Sequence, residues 1–217
     1  MEPETDFPML ILGLVGGIAS GKSLVANVLH DMGAVVLDAD QAGHYVLRQP
    51  EVIAELKKRW GDKILDSNGQ VIRREVAKIV FAHGNDAERK FLEQLTHPRI
   101  EELLKKELDV IRNSPDAPPV VVIDAPLLFE AGWDQLCDKV LYVDAPRDIR
   151  LERAVARGWS TEQFAAREAS QMPLVDKAAR SHIVIRNART LENIRDVLRL
   201  TWRHRLIADQ PESDSSA

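Results

Sequence analysis

Residues 15–23 read Val-Gly-Gly-Ile-Ala-Ser-Gly-Lys-Ser and meet the spacing G-x-x-x-x-G-K-[ST] with Gly16, Gly21, Lys22 and Ser23. No other stretch restricts the fold as strongly, because this pattern works only between a strand and a helix. An apolar run over 9–15 leads in, and a helix-compatible run over 24–29 leads out. Gly16 and Gly21 permit backbone conformations closed to other residues, so N–H groups across Gly17, Ile18, Ala19, Ser20 and Gly21 can converge on phosphate oxygens. The N-terminus of the following helix adds partial positive charge. Lys22 supplies a point charge for the terminal phosphates, and the Ser23 hydroxyl is placed to ligate Mg²⁺. The plainer alternative is a glycine turn with a solvated lysine, and it leaves the strand-and-helix context unexplained. A nucleotide site is the expectation.

Bulk properties narrow the class. The chain has 217 residues, 45% hydrophobic and 29% charged, which suits one sizeable domain with insertions or two small ones. A net charge of −5 argues against a broad nucleic-acid surface. The single cysteine, Cys137, excludes an internal disulfide and a cysteine metal cluster, and suits a reducing cytosol. The longest apolar runs are cut by Asp124 and Asp144, so no membrane span is expected. The acidic start over 1–6 is wrong for a secretory or transit peptide, which makes cytoplasmic the default.

Five short apolar runs, 10–15, 34–37, 120–123, 140–143 and 183–185, read as strands separated by helical patterns. They lack strict alternation, as expected of strands buried on both faces of a parallel sheet. The expected fold is therefore α/β: a three-layer α/β/α core around a five-stranded parallel sheet. Ligands of such sheets sit at the carboxyl ends of the strands, so every acid that ends a strand is a candidate. Two intervals exceed a simple crossover. The first spans 46–115, with helical patterns at 52–60, 73–83 and 86–113 and a turn at 66–69, and reads as a helical insertion. The second, 147–179, is helical and rich in arginine. The core is then 8–45, 116–146 and 180–208, with frayed termini at 1–7 and 209–217.

Asp38 and Asp40 follow the second strand. If the chain stays extended there, both carboxylates share a face and one of them can orient or deprotonate a hydroxyl. The alternative is that Asp40 caps a helix starting near Gln41. Asp124 ends an apolar strand in the manner of a Walker B acid and would support Mg²⁺, directly or through water. Glu130 is open between a role and a surface charge. Arg147, Arg150, Arg153 and Arg157 recur at helical spacing, as either a lid that closes on phosphates or a solvated face. Pro98 disfavours helical geometry at His97, so a bend or restart is expected there. Arg73-Arg74 could hold an anion, whereas Lys57-Lys58-Arg59 reads as a solvated face. His30, His44, His83, His182 and His204 show no metal-ligand spacing.

Gly16-Gly17-Ile18-Ala19-Ser20-Gly21-Lys22-Ser23, Asp38-Ala39-Asp40, Arg73-Arg74, Leu95-Thr96-His97-Pro98, Asp124-Ala125-Pro126-Leu127-Leu128-Phe129-Glu130 and Val184-Ile185-Arg186-Asn187 together resemble the dephospho-CoA kinases, over about residues 10–205. The resemblance implies transfer of the ATP γ-phosphoryl to the ribose 3′-hydroxyl of dephospho-CoA, with Mg²⁺. It implies that 46–115 binds the CoA moiety and 147–179 forms a lid. Asp40 matches the catalytic base, Arg153 the lid arginine that contacts phosphates, and Asn187 the segment lining the adenine pocket. Arg73, Arg74 and His97 fall in the acceptor domain. The chain departs from the family at Val15, usually threonine, and at Ser181-His182, usually Ala-Asp. It departs again at Ala19, usually glycine, which calls for a negative φ.

A kinase for another small acceptor (a nucleoside, nucleotide or sugar acid) would share the loop and lid. A GTP-dependent switch would need Asn-Lys-x-Asp, which the chain lacks, and an Asp-x-x-Gly where it has Asp124-Ala125-Pro126-Leu127.

Overall fold

The structure, a computed structural model, describes residues 9–82, 84–187 and 191–201. His83, His204 and the expected frayed termini lie outside the described residues. The five apolar runs form strands β1 (Leu10–Gly16), β2 (Val35–Asp38), β3 (Val120–Asp124), β4 (Lys139–Asp144) and β5 (Ile183–Arg186). They pair in parallel in the order β2-β3-β1-β4-β5. The register sets Asp124 beside both Leu14 and Asp38, and Gly16 beside Val143, so the strand ends that carry chemistry finish level.

Pleat alternation explains the layers. Leu12 and Leu14 face α1 (Lys22–Asp31) and α9 (Leu191–Thr201), packing with Val25, Leu29 and Leu198. Ile11 and Val15 face the other way, into a cluster that also contains Ile123, Val140 and Tyr142. That cluster continues into α2 (Ala39–Val46), α3 (Pro50–Trp60), α4 (Arg73–Val80) and α5 (Asp86–Arg112), through Val46, Leu56, Val76 and Leu104. The helices between β2 and β3 therefore share the core of the sheet. A second helical group, α6 (Arg147–Ala156), α7 (Thr161–Ala169) and α8 (Leu174–Ala179), lies between β4 and β5.

Two local expectations are corrected. The chain does not stay extended through Asp38-Ala39-Asp40: α2 starts at Ala39. Its cap is Asp38, whose Oδ1 accepts from the Asp40 and Gln41 N–H groups at 2.8 and 3.1 Å. Nor does α5 restart at Pro98; it is continuous over 27 residues. Side chains serve its carbonyls around the proline, with Thr96 Oγ1 donating to Leu92 O at 2.8 Å and Arg99 Nη1 to Leu95 O at 2.6 Å. The buried stripe Thr96, Ile100, Leu104 and Leu108 anchors the helix on both sides of Pro98. In Lys57-Lys58-Arg59, Arg59 forms a fork with Glu88 and Lys57 pairs with Asp62. Hydrogen bonds from Arg59 and Trp60 pull the Glu88 carboxyl down to about 2.

Leu141, at the centre of β4, has no exposed surface. Leu141→Ala is expected to lower unfolding free energy by about 2–5 kcal/mol through lost transfer energy and a cavity. Urea unfolding measures this, and a loss under about 1 kcal/mol would show that the sheet is not packed as described.

Candidate active site

β1 delivers Gly16, and the chain then turns sharply: Ser20 N–H donates back to Gly17 O at 3.0 Å. Gly21, φ 92°, caps α1, and its carbonyl receives the Leu24 and Val25 N–H groups at 3.0 and 3.2 Å. The expectation of a negative φ at Ala19 fails, since its φ is 57°. An alanine in this left-handed region carries strain of about 1–2 kcal/mol. Lys22, in the first turn of α1, forms an ion pair with Asp124 at the end of β3, and both side chains are largely covered. Burial pushes the Asp124 carboxyl up, with the Lys22 charge opposing.

Asp40, freed from capping by Asp38, lines the same cleft as the loop and Lys22. Its side chain reaches cleft solvent, yet the surrounding protein mass pushes its carboxyl up, and Lys22 opposes the rise. The cleft has a volume of about 730 Å³ and extends from the loop into the helical insertion, past Ile100 and Trp133. His97 lines it, packed edge-on to Trp133 with ring centroids 5.4 Å apart. Burial lowers the His97 pKa, which favours a neutral imidazole at pH 7. Arg73 lines the cleft against His44 Nε2, whereas Arg74 is turned out to Glu75. The arginine pair is therefore split.

The loop is braced from the distant half of the chain. Asn187, following β5, is buried and donates its Nδ2–H to Ser20 O at 2.7 Å. Arg153 reaches three carbonyls in and beside the loop. Its Nη1 donates to Ser20 O at 3.2 Å and Ala19 O at 3.4 Å, and its Nη2 to Asn187 O at 3.3 Å. Arg147 and Arg150 share Glu168 at 2.9 and 2.7 Å. The His182 departure is accommodated because its Nδ1 accepts from Val140 N–H at 3.0 Å, which requires an unprotonated Nδ1.

Sequence reasoning left Glu130 open and missed Lys177. Lys177 is fully buried and donates to Pro126 O at 2.7 Å, with Glu130 Oε1 at 2.9 Å. Glu130 Oε1 also accepts from Met172 N–H at 2.8 Å. The pair ties the segment after Asp124 to the turn before α8. The Pro-Leu-Leu-Phe-Glu run was the only hint, and nothing in it named a lysine 47 positions on.

With this geometry in place, likeness to other proteins becomes informative. The sequence profile of the family described as dephospho-CoA kinase matches residues 10–193. The chain belongs to the dephospho-CoA kinase family. The dephospho-CoA kinase of Moorella thermoacetica is 40% identical over 94% of this chain and 97% of its own. That of Geobacillus kaustophilus is 39% identical over 86% and 92%. Among solved structures, TT1252 from Thermus thermophilus aligns with a TM-score of 0.75 at 34% identity, covering 91% of this chain and 98% of its own. Dephospho-CoA kinase from Campylobacter jejuni aligns at 0.66 with 25% identity, covering 89% and 96%.

For this family member, Asn187→Ala removes the shortest brace on the loop. ADP affinity is expected to fall about tenfold, the value of one buried hydrogen bond, by calorimetry. An unchanged dissociation constant would show that the loop holds its shape without Asn187.

Proposed function

We propose that this dephospho-CoA kinase divides its labour as follows: the phosphate loop and Lys22 hold the ATP triphosphate, Asp40 receives the acceptor proton, and the helical insertion binds the acceptor. The ribose 3′-hydroxyl oxygen of dephospho-CoA attacks the γ-phosphorus, and the bond to the β,γ-bridging oxygen breaks. The hydroxyl proton passes to Asp40, and CoA and ADP leave. The observation that carries this reading is the Asp40 carboxyl, spared from capping, on the cleft wall it shares with Lys22 and the insertion.

Each residue's part follows from its surroundings. A carboxylate is a weak base for an alcohol, so Asp40 orients the hydroxyl and accepts its proton late. Its raised pKa moves it toward that task. N–H groups of residues 17–23, at the amino end of α1, face the phosphates. Asn187 and Arg153 keep the loop in the conformation that aims those N–H groups, and Asn187 lies in the segment that lines the adenine pocket. Arg73 offers a cation to the pyrophosphate of the acceptor, and neutral His97 offers a hydrogen-bonding edge.

Among the described residues no group of three or more histidine, cysteine or acidic side chains could cage a metal. The Ser23 hydroxyl and the Asp124 carboxylate are hard oxygen donors, few in number, which fits Mg²⁺ arriving with the triphosphate. Mg²⁺ supplies neutralisation of charge developing on the β- and γ-phosphate oxygens. Residues 46–115 form the CoA-binding region, 147–179 the lid, and 8–45, 116–146 and 180–208 the nucleotide core. No helix among the described residues is long and apolar enough to cross a membrane. The lone Cys137, its thiol pushed up to about 12 by burial, suits a reducing cytoplasm.

Asp40→Asn is expected to lower kcat by about 10²–10⁴-fold while ADP binding stays within about twofold. In the wild type the base must be ionised, and its pKa is raised. So kcat/KM should fall with unit slope below a pKa above the usual aspartate value, and that limb should vanish in the variant. Unchanged kcat in Asp40→Asn would remove Asp40 from the reaction.

A further inference from the structure

Lys177 has no exposed surface, and the division of labour set out above gives it no task. It stands on α8, one turn after Leu174, whose Cδ1 would lie 3.0 Å from a Cβ placed on Gly17 of the phosphate loop. Its ammonium donates to Pro126 O at 2.7 Å and pairs with Glu130 Oε1 at 2.9 Å. Its neighbours in the chain hold the same stretch. Met172 N–H donates to Glu130 Oε1 at 2.8 Å, while Arg180 lies 4.3 Å over the Phe129 ring and pairs with Asp134 at 2.9 Å. Residues 172–180 therefore grip 126–134 at Pro126, Phe129, Glu130 and Asp134.

The gripped stretch is a wall of the cleft. Pro126, Leu127 and Trp133 line it, and Trp133 carries the edge-on contact with His97 of α5. The wall thus runs from two residues beyond Asp124 to the helical insertion. Its ties differ in strength. Arg180 and Asp134 are partly exposed, and ion pairs of that kind contribute little. Lys177 is sealed from water, so its loss leaves Pro126 O and Glu130 without a charge-assisted bond and with no solvent to replace it. A buried ion pair adds little net stability over an apolar pair of the same shape. Stability therefore does not account for a lysine at this position, whereas the aim of a carbonyl does.

We propose that Lys177 is a positioning residue for the acceptor: by holding Pro126 O and Glu130, it sets the wall of Pro126, Leu127 and Trp133 against which dephospho-CoA lies. The assignment rests on the dephospho-CoA reading above. Lys177 touches neither reactant and acts through the wall. Without its ammonium, Pro126 O turns toward water, and the surface that Pro126 and Leu127 present to the acceptor shifts with it.

The test compares wild type, Lys177→Met and the double variant Lys177→Met/Glu130→Gln in dephospho-CoA turnover, ADP calorimetry and thermal unfolding. The single variant strands the Glu130 charge, so its unfolding midpoint is expected to fall. In the double variant that charge is gone, and the amide oxygen at 130 still accepts from Met172 N–H. Its midpoint should return close to wild type while Pro126 O stays without its donor. The expected result is a dephospho-CoA KM about tenfold above wild type in the double variant, with kcat within about threefold and ADP affinity within about twofold. A KM that recovers together with the midpoint overturns the assignment, because Lys177 would then serve stability only. A tenfold loss of ADP affinity also overturns it, since the tie would then serve the phosphate loop. So does a double variant that fails to fold. A wild type that releases no ADP with dephospho-CoA overturns the acceptor reading, and the assignment with it.

Discussion

Gly21 holds a left-handed backbone, and the Asn187 amide is packed where any Cβ at that position would stand. The close approach joins the first loop of the chain to the end of its last strand. Arg153 completes the joint by donating to both segments. The nine-residue motif is therefore braced by α6 and by the residue that follows β5. Magnitudes support this. The left-handed Ala19 costs about 1–2 kcal/mol, while three hydrogen bonds onto the Ala19 and Ser20 carbonyls return about 1 kcal/mol each or more. The braces outweigh the strain, so the loop stays in the strained form.

Charge in the cleft follows from the sheet register. Parallel pairing sets Asp38 on β2 level with Asp124 on β3, the strand next to β1, and Lys22 meets Asp124 across the top. Asp38 and Asp40 do different work. Asp38 is consumed by α2 as a cap; Asp40, two residues later, keeps both its oxygens for a ligand. A cap on the wrong aspartate would leave the cleft with Lys22 and no free base.

Much of this was legible in the sequence, for identifiable reasons. The strands announced themselves because a parallel sheet buries both faces, and unbroken apolar runs such as 120–123 have few other uses. The phosphate loop announced itself through spacing. What failed were features decided by partners distant in the chain or by competition within a turn. Asp38 and Asp40 are both good caps, and only the helix start at Ala39 chose between them. Pro98 reads as a break, yet the buried stripe from Thr96 to Leu108 and the side chains of Thr96 and Arg99 keep α5 whole. Lys177 carried no signal, since its partners Pro126 and Glu130 are set by the packing of α8.

Lys22, paired with Asp124 on the wall of the cleft, is the group proposed to carry the charge of the transferred phosphoryl. The most direct measurement is turnover of dephospho-CoA by wild type and Lys22→Ala, with adenosine, AMP and pantetheine as alternative acceptors. Turnover by the wild type is expected with dephospho-CoA alone, with a loss of about 10³-fold or more in the variant. Near-normal turnover by Lys22→Ala would contradict that role.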